Sequence, residues 1–392
     1  MSEARHVQAA SPGTVSQPPV LVVPARPAGS AWRGVLVTLA MALILCGVPV
    51  GALWLVLNGL LGAGDDSDFR VHERHFAGQR SHGDKIAIVR VEGVLMEGML
   101  RFAHGQIERA AEDPQVKAVV LRINSPGGTI SASDDLHHRL MRLRDGDSLR
   151  RTAGKPLVAS MGSMAASGGY YIAMPAQTLF AEQTTITGSI GVFAAFPNVK
   201  ELADKIGLRM VVLKRGRVKD SGSPFQEIQP VDRALWQGLV DHAYEHFQRV
   251  VEQGRPHLKG KLEEEVLPRS VSIRVGEGDH GREEQVRLVR QRSDGGTFTA
   301  SDALELGLID RIGYLEDAIE AARVAGGLGE EYQVVRYERP LSLSTFLGLE
   351  ARAGSAQLEI GRLADALTPR LWYLSGHEEF AAFSESIRES LR

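Results

Sequence analysis

Apolar residues recur along this chain in two rhythms, and one unbroken apolar run stands apart near its beginning. Residues 85–93 (KIAIVRVEG) form an apolar-rich strand pattern, and residues 116–123 (VKAVVLRI) form a short β-branched run of the same kind. Residues 157–160, 178–181 and 210–213 read as further short strands. Between them lie helical patterns. The spacing predicts helices over 130–143 and 197–206, a helix opening within 167–174, and a long amphipathic helix over 231–253. Further on, 300–307 is helical, 308–311 extended and 315–325 helical again. Strands separated by helices of this length imply repeated βαβ units and a mainly parallel sheet, so the fold class is α/β.

Two stretches break the rhythm. Residues 257–296 are charged and hold few apolar residues in phase, apart from alternating VSIRV and QVRLVRQ, which suit a hairpin. Residues 339–392 are a weakly patterned tail whose only candidate element is helix, suited to packing on a neighbouring subunit or a membrane face. The unbroken run is different again. Residues 35–57 carry no charge, and roughly 20 apolar residues span a bilayer core. Arg5, Arg26 and Arg33 precede the run, and Asp65, Asp66 and Asp68 follow it. Positive residues stay inside, so residues 34–58 are expected to span the membrane once, with the N-terminus cytoplasmic and the large body outside. A cleaved secretory signal would have a shorter apolar region and leader. The expected order is a disordered tail (1–33), the span (34–58), a polar linker (59–84), the main domain (85–338) and the tail.

Composition narrows the chemistry. A net charge of −3 over 392 residues gives no reason to expect nucleic acid as a partner. The single cysteine, Cys46, lies inside the apolar run, which rules out an intrachain disulfide and a thiol nucleophile in the soluble part. The chain has no HExxH, no GxGxxG after a strand, no GxxxxGK[ST] loop and no GxSxG elbow. One metal motif occurs: His242, Glu245 and His246 fit HxxEH, with both histidines one helical turn apart. Polar residues on the exposed side of a helix explain that pattern equally well.

Three other places carry candidate chemistry. In Asn124-Ser-Pro-Gly127-Gly128-Thr129, paired glycines between a strand and a helix let backbone N–H groups face a ligand, a fit place for an oxyanion. A tight strand–helix turn needs glycine too. In GSMAASGGYYIAM (162–174), Ser167 sits with little crowding beside the N–H of Gly168, as a nucleophile and its oxyanion hole require. A helix N-cap is the plain alternative. No Ser-His-Asp set is evident, but a lysine activates a serine when it is neutral, which burial favours. Lys219 in LKRGRVKDSGSPF is the candidate, and a run of basic surface residues with Lys214, Arg215 and Arg217 is the alternative.

RINSPGG, SMGSMAASGGYYIA, TGSIGV, GRVKD and TASDALELGLIDRIG occur in the order and at the spacings of one family. Over residues 85 to about 255 and again over about 297 to 316, the chain resembles the signal peptide peptidase A (protease IV) family, in its short bacterial form. The resemblance implies a ClpP/crotonase-like fold with repeated ββα/βαβ units, preceded by one transmembrane helix. It implies a Ser/Lys dyad: Ser167 as nucleophile, Lys219 as general base, Ser189 orienting the lysine. Gly168, with Gly127 or Gly128, would form the oxyanion hole. It implies no metal or other cofactor. The expected protein is a serine endopeptidase at the bacterial inner membrane, with its catalytic domain extracytoplasmic. Its expected substrates are cleaved signal peptides and other hydrophobic or unfolded peptides, and its expected assembly is a homo-oligomeric ring. A metal-dependent peptidase through His242, Glu245 and His246, and a non-proteolytic acyl-CoA enzyme on the same fold, are the alternatives. Residues 257–296 look like an insertion relative to the short form.

Overall fold

The computed structural model describes residues 71–81, 83–275, 282–339 and 371–374. The expected tail 1–33 and membrane span 34–58 lie outside the described residues. Among those described, no helix is long and apolar enough to cross a membrane. The chain divides into two compact units, Met1–Asp66 and Ser67–Arg392, and every described residue belongs to the second.

In chain order the elements are β1 (His72–Gly78), β2 (Lys85–Glu92), α1 (Arg101–Glu112), β3 (Val116–Ser125), β4 (Gly127–Thr129) and α2 (Ile130–Asp145). A short pair, β5 (Gly146–Asp147) and β6 (Thr152–Ala153), leads into β7 (Leu157–Ala166) and α3 (Gly168–Tyr171). Then come β8 (Thr178–Ala181), β9 (Ile186–Gly188), β10 (Phe193–Ala194), α4 (Lys200–Ile206) and α5 (Pro230–Gly254). The chain continues through β11 (Glu265–Val275), β12 (Arg282–Gln291), β13 (Thr297–Thr299), α6 (Ala300–Glu305), β14 (Arg311–Ile312), α7 (Leu315–Ala325), β15 (Gln333–Glu338) and β16 (Leu371–Leu374).

The main sheet runs β1-β15-β2-β3-β7-β8-β14, with β9 beside β7 and β13 beside β9. Pairings from β15 through β14 are parallel, as the alternation of strands and helices predicts. The antiparallel β1 closes one edge. Central strands are buried on both faces, so they read as near-continuous apolar runs. In β2, Ala87, Val89 and Val91 face one core together with Ile107 of α1, Leu136 and Leu140 of α2 and Phe247 of α5. Ile86 and Ile88 face a second, smaller core with Ile319 and Ala322 of α7. The strand period of two therefore sorts one segment between two layers.

Several expectations are adjusted. The linker drawn over 59–84 contains β1, whose sequence HERHFAG looked like linker because an edge strand exposes one face and so needs few apolar residues. Residues 210–213 form no strand: they are exposed, with no ladder partner among the described residues. The alternating pieces of 257–296 do pair, Val271 opposite Val286, as an antiparallel hairpin. In the tail, residues 371–374 are strand and not helix.

Behind α3, Tyr171 donates to Asp134 Oδ1 at 2.7 Å and packs edge-on against His137, ring centres 5.1 Å apart. Burial pushes the His137 imidazole down to about 4; nearby Asp134 opposes this, while His246, Arg144 and His138 reinforce it. The unfolded chain therefore takes up a proton near the ordinary value of 6.5 that the folded chain refuses until about 4. Stability is fully present above 6.5 and is lost as the pH falls toward 4, by up to about 3 kcal/mol. His137→Gln should flatten the fall in thermal midpoint over that window. Parallel curves for variant and wild type would show that another group carries the dependence.

Candidate active site

Ser167 stands at the corner between β7 and α3. Its φ of 53° and ψ of −115° are a conformation that side chains rarely adopt. Four non-glycine residues share a positive φ among those described: Arg151, Ser167, Ser189 and Leu267. Two of these are serines that the motifs single out. The corner is clamped on both sides: the Ser167 N–H donates to Gly188 O at 2.7 Å, and its carbonyl accepts from the Tyr171 N–H at 2.8 Å. The side chain is fully buried, and its Oγ has no hydrogen-bond partner. Ser167 occupies the N-cap position of α3 yet makes no capping bond. Capping therefore does not account for a serine there.

The glycine turn is adjacent. A Cβ placed on Gly168 would collide with Ser133 Oγ and lie 3.1 Å from both Gly127 Cα and Gly128 N. Only hydrogen at Gly168 lets the two backbones approach this closely. Gly127 holds a φ of 112°, and its N–H is taken by Ser125 Oγ at 3.1 Å, which in turn donates to Gly93 O at 2.7 Å. Gly128 lies against Leu95, where a Cβ would overlap the Leu95 carbonyl. Ser133 Oγ donates to Thr129 O at 2.9 Å beneath the turn. Ser125 and Ser133 support the site without having been singled out in the sequence, where nothing distinguished them from other small polar residues.

The structure thus brings Ser167, Gly168, Gly127 and Gly128 together. Ser189, at φ 53°, belongs to a neighbouring loop and points elsewhere. Its Oγ donates to Gly295 O at 2.9 Å, and its N–H to Gly296 O at 3.0 Å. Lys219 is exposed, in a turn where its N–H donates to Gly216 O at 3.3 Å, and the following Asp220 pairs with Lys214. Neither serine hydroxyl is hydrogen-bonded to Lys219. Gly295 and Gly296, which hold Ser189, gave no signal in the sequence beyond their turn-forming type.

The HxxEH residues separate. His246 Nε2 lies 3.6 Å from Asp134 Oδ1, and Glu245 pairs with Arg249 at 3.8 Å. Among the described residues no group of three or more metal-ligating side chains converges on one point.

A strained, buried serine beside a glycine turn, on a largely parallel α/β sheet, is the kind of arrangement a serine peptidase uses. Residues 149–264 match Peptidase family S49. The chain is 34% identical over 244 residues to a putative protease of Synechocystis sp., covering 62% of this chain and 75% of that protein. It is 31% identical over 246 residues to Protease 4 of Haemophilus influenzae, covering 61% of this chain and 34% of the relative. With a putative signal peptide peptidase of Enterococcus faecium it shares 30% identity over 218 residues, 56% of this chain and 54% of the relative. It therefore spans three quarters of the first of these and about a third to a half of the other two. The chain belongs to peptidase family S49, which bears out the resemblance carried by its motifs.

Gly168→Ala tests the close approach. The added methyl meets Ser133 Oγ, so the corner must move away from the Gly127–Gly128 turn. Labelling of Ser167 by a fluorophosphonate should slow roughly 100-fold, as when one oxyanion donor is lost. Ser133→Ala in the same chain removes the colliding hydroxyl and should recover part of the rate. A double variant no faster than Gly168→Ala would place the defect elsewhere.

Proposed function

We propose that this protein is a membrane-anchored Ser/Lys endopeptidase that degrades cleaved signal peptides and other hydrophobic or unfolded peptides outside the cytoplasm. The observation that carries the reading is the corner at Ser167, a strained, buried hydroxyl left free of any capping role beside the glycine turn. Ser167 attacks the peptide carbonyl, and the N–H of Gly168 with one from the Gly127–Gly128 turn, that of Gly128 because Ser125 Oγ holds the Gly127 N–H, stabilise the oxyanion. Neutral Lys219 accepts the serine proton and returns it to the leaving amine. Water then hydrolyses the acyl-enzyme. The anchor is the uncharged run within residues 34–58, and its charge flanks favour an extracytoplasmic catalytic domain.

The base arrives by assembly. The stretch leading to Lys219 exposes Leu208, Met210, Val211 and Leu213, the last two at 81% and 94%. A run of apolar residues with no strand partner marks an interaction surface. A second copy of the chain, in a ring, covers that run and carries Lys219 into a cleft where burial keeps its amine neutral. Ser189 then holds the lysine as its orienting hydroxyl.

Ser167→Ala and Lys219→Ala should each abolish peptide hydrolysis in detergent-solubilised full chain, with circular dichroism unchanged. Turnover retained in either variant overturns the dyad. Dissociating and reassembling the two inactive variants together should restore part of the activity, because one copy supplies the serine and its neighbour the lysine. Persistent inactivity of the mixture would assign both groups to one chain.

A further inference from the structure

Ser167 and Ser189 share a φ of 53°, and the frame that holds both leads back to one arginine that no motif singled out. Arg290 is the last residue but one of β12, at the root of the hairpin, opposite Val266. Its guanidinium reaches in two directions. On one side it grips both carboxylate oxygens of Asp294, with Nε donating to Oδ2 and Nη2 donating to Oδ1 at 3.0 Å. On the other, Nη1 and Nη2 donate to Thr297 O at 3.4 and 3.3 Å, and the guanidinium lies 4.3 Å from the centre of the Phe298 ring.

Each direction ends at a serine. Asp294 Oδ1 also accepts from the Gly296 N–H at 2.9 Å, which fixes the turn whose carbonyls receive the Ser189 hydroxyl and N–H. Thr297 opens β13 and lies opposite Gly188, whose carbonyl receives the Ser167 N–H. The packing leaves no slack. A Cβ at Gly296 would collide with Arg290 Nη2, and one at Gly188 would lie 2.8 Å from Phe298 Cδ2.

We propose that Arg290 and Asp294 are positioning residues for the peptidase, a clamp at the hairpin root that holds the Ser189 loop and the Ser167 corner in one frame. The proposal rests on the Ser167 reading above and names the groups that keep that corner in place. An isolated surface pair at this spacing stabilises little. Here the two side chains are only 23% and 25% exposed, and one guanidinium carries a bidentate fork, a carbonyl and a ring face at once. Burial of Asp294 works against its charge. The Arg290 guanidinium and the Gly296 N–H more than offset this and hold its carboxyl below the usual range. A strained backbone persists only where its surroundings over-determine it. Without the clamp, β13 and the 295–296 turn are free to relax, and the Ser167 hydroxyl loses its aim.

The test compares full-length variants in detergent. Asp294→Ala removes the fork and the Gly296 acceptor together. It should lower kcat for a fluorogenic peptide roughly tenfold and leave KM within about twofold of wild type, because a misplaced nucleophile slows the chemistry more than the binding. Asp294→Asn keeps an acceptor for the Gly296 N–H and should lose only about threefold. Arg323→Ala is the control for stability alone. Arg323 makes a similar fork to Glu320 and donates to Leu328 O at 2.8 Å, but on α7 beside the smaller core. That variant should lower the thermal midpoint comparably and leave kcat unchanged.

Hydrogen exchange over residues 164–172 and 186–192 reads the frame without the chemistry. Both stretches should exchange faster in Asp294→Ala than in Arg323→Ala, and equally so when Ser167→Ala is added. Turnover that survives Ser167→Ala would remove the nucleophile, while the exchange result still decides the clamp. Wild-type kcat in a folded Asp294→Ala protein, or unchanged exchange over both stretches, overturns the proposal. If Asp294→Ala does not fold, Asp294→Asn against Arg323→Ala carries the same comparison with smaller differences.

Discussion

Close backbone approach is the constraint on which the site depends. At Ser167 the chain turns through a conformation costing on the order of 1–3 kcal/mol, and only tight surroundings hold it there. Those surroundings are main chain: the Gly188 carbonyl on one side, the first turn of α3 on the other, and the Gly127–Gly128 turn across the way. Glycine is needed at 128 and 168 because there is no room for a Cβ, and at 127 because φ is positive. The parallel sheet is what brings the three stretches into reach, since β3 and β7 lie side by side and end at the same edge.

Much of this was legible in the sequence. The strand and helix alternation predicted the parallel sheet because central strands are apolar throughout and cannot be mistaken for loops. Ser167 and the glycines stood out through their motifs, and the structure gathers them. What the sequence concealed was of two kinds. β1 and β4 are too polar or too short to show a period. Ser133 and the Gly295–Gly296 turn matter only through partners far away in the chain, Gly168 and Ser189, which no local pattern reveals.

The stretch around residues 208–213 carries the opposite lesson. Its apolar character predicted a strand, yet a single chain offers it no neighbour, and it stays exposed. A segment with strand chemistry and no strand is consistent with a partner supplied from outside, and Lys219, just beyond it, is exposed. The hairpin of β11 and β12 is similar in being a two-stranded ribbon, a form that is marginal when isolated.

The order of pairing along the chain has a consequence for biosynthesis. β15, near residue 335, inserts between β1 and β2, which are among the first parts of the domain to be made. The loop holding Ser189 leans on residues 295 and 296, and β9, whose carbonyl clamps Ser167, is paired by β13. A growing chain therefore lacks the far half of its own scaffold until most of the domain has left the ribosome. The corner at Ser167 is completed late, and an unfinished polypeptide carries the serine without the frame that holds its backbone.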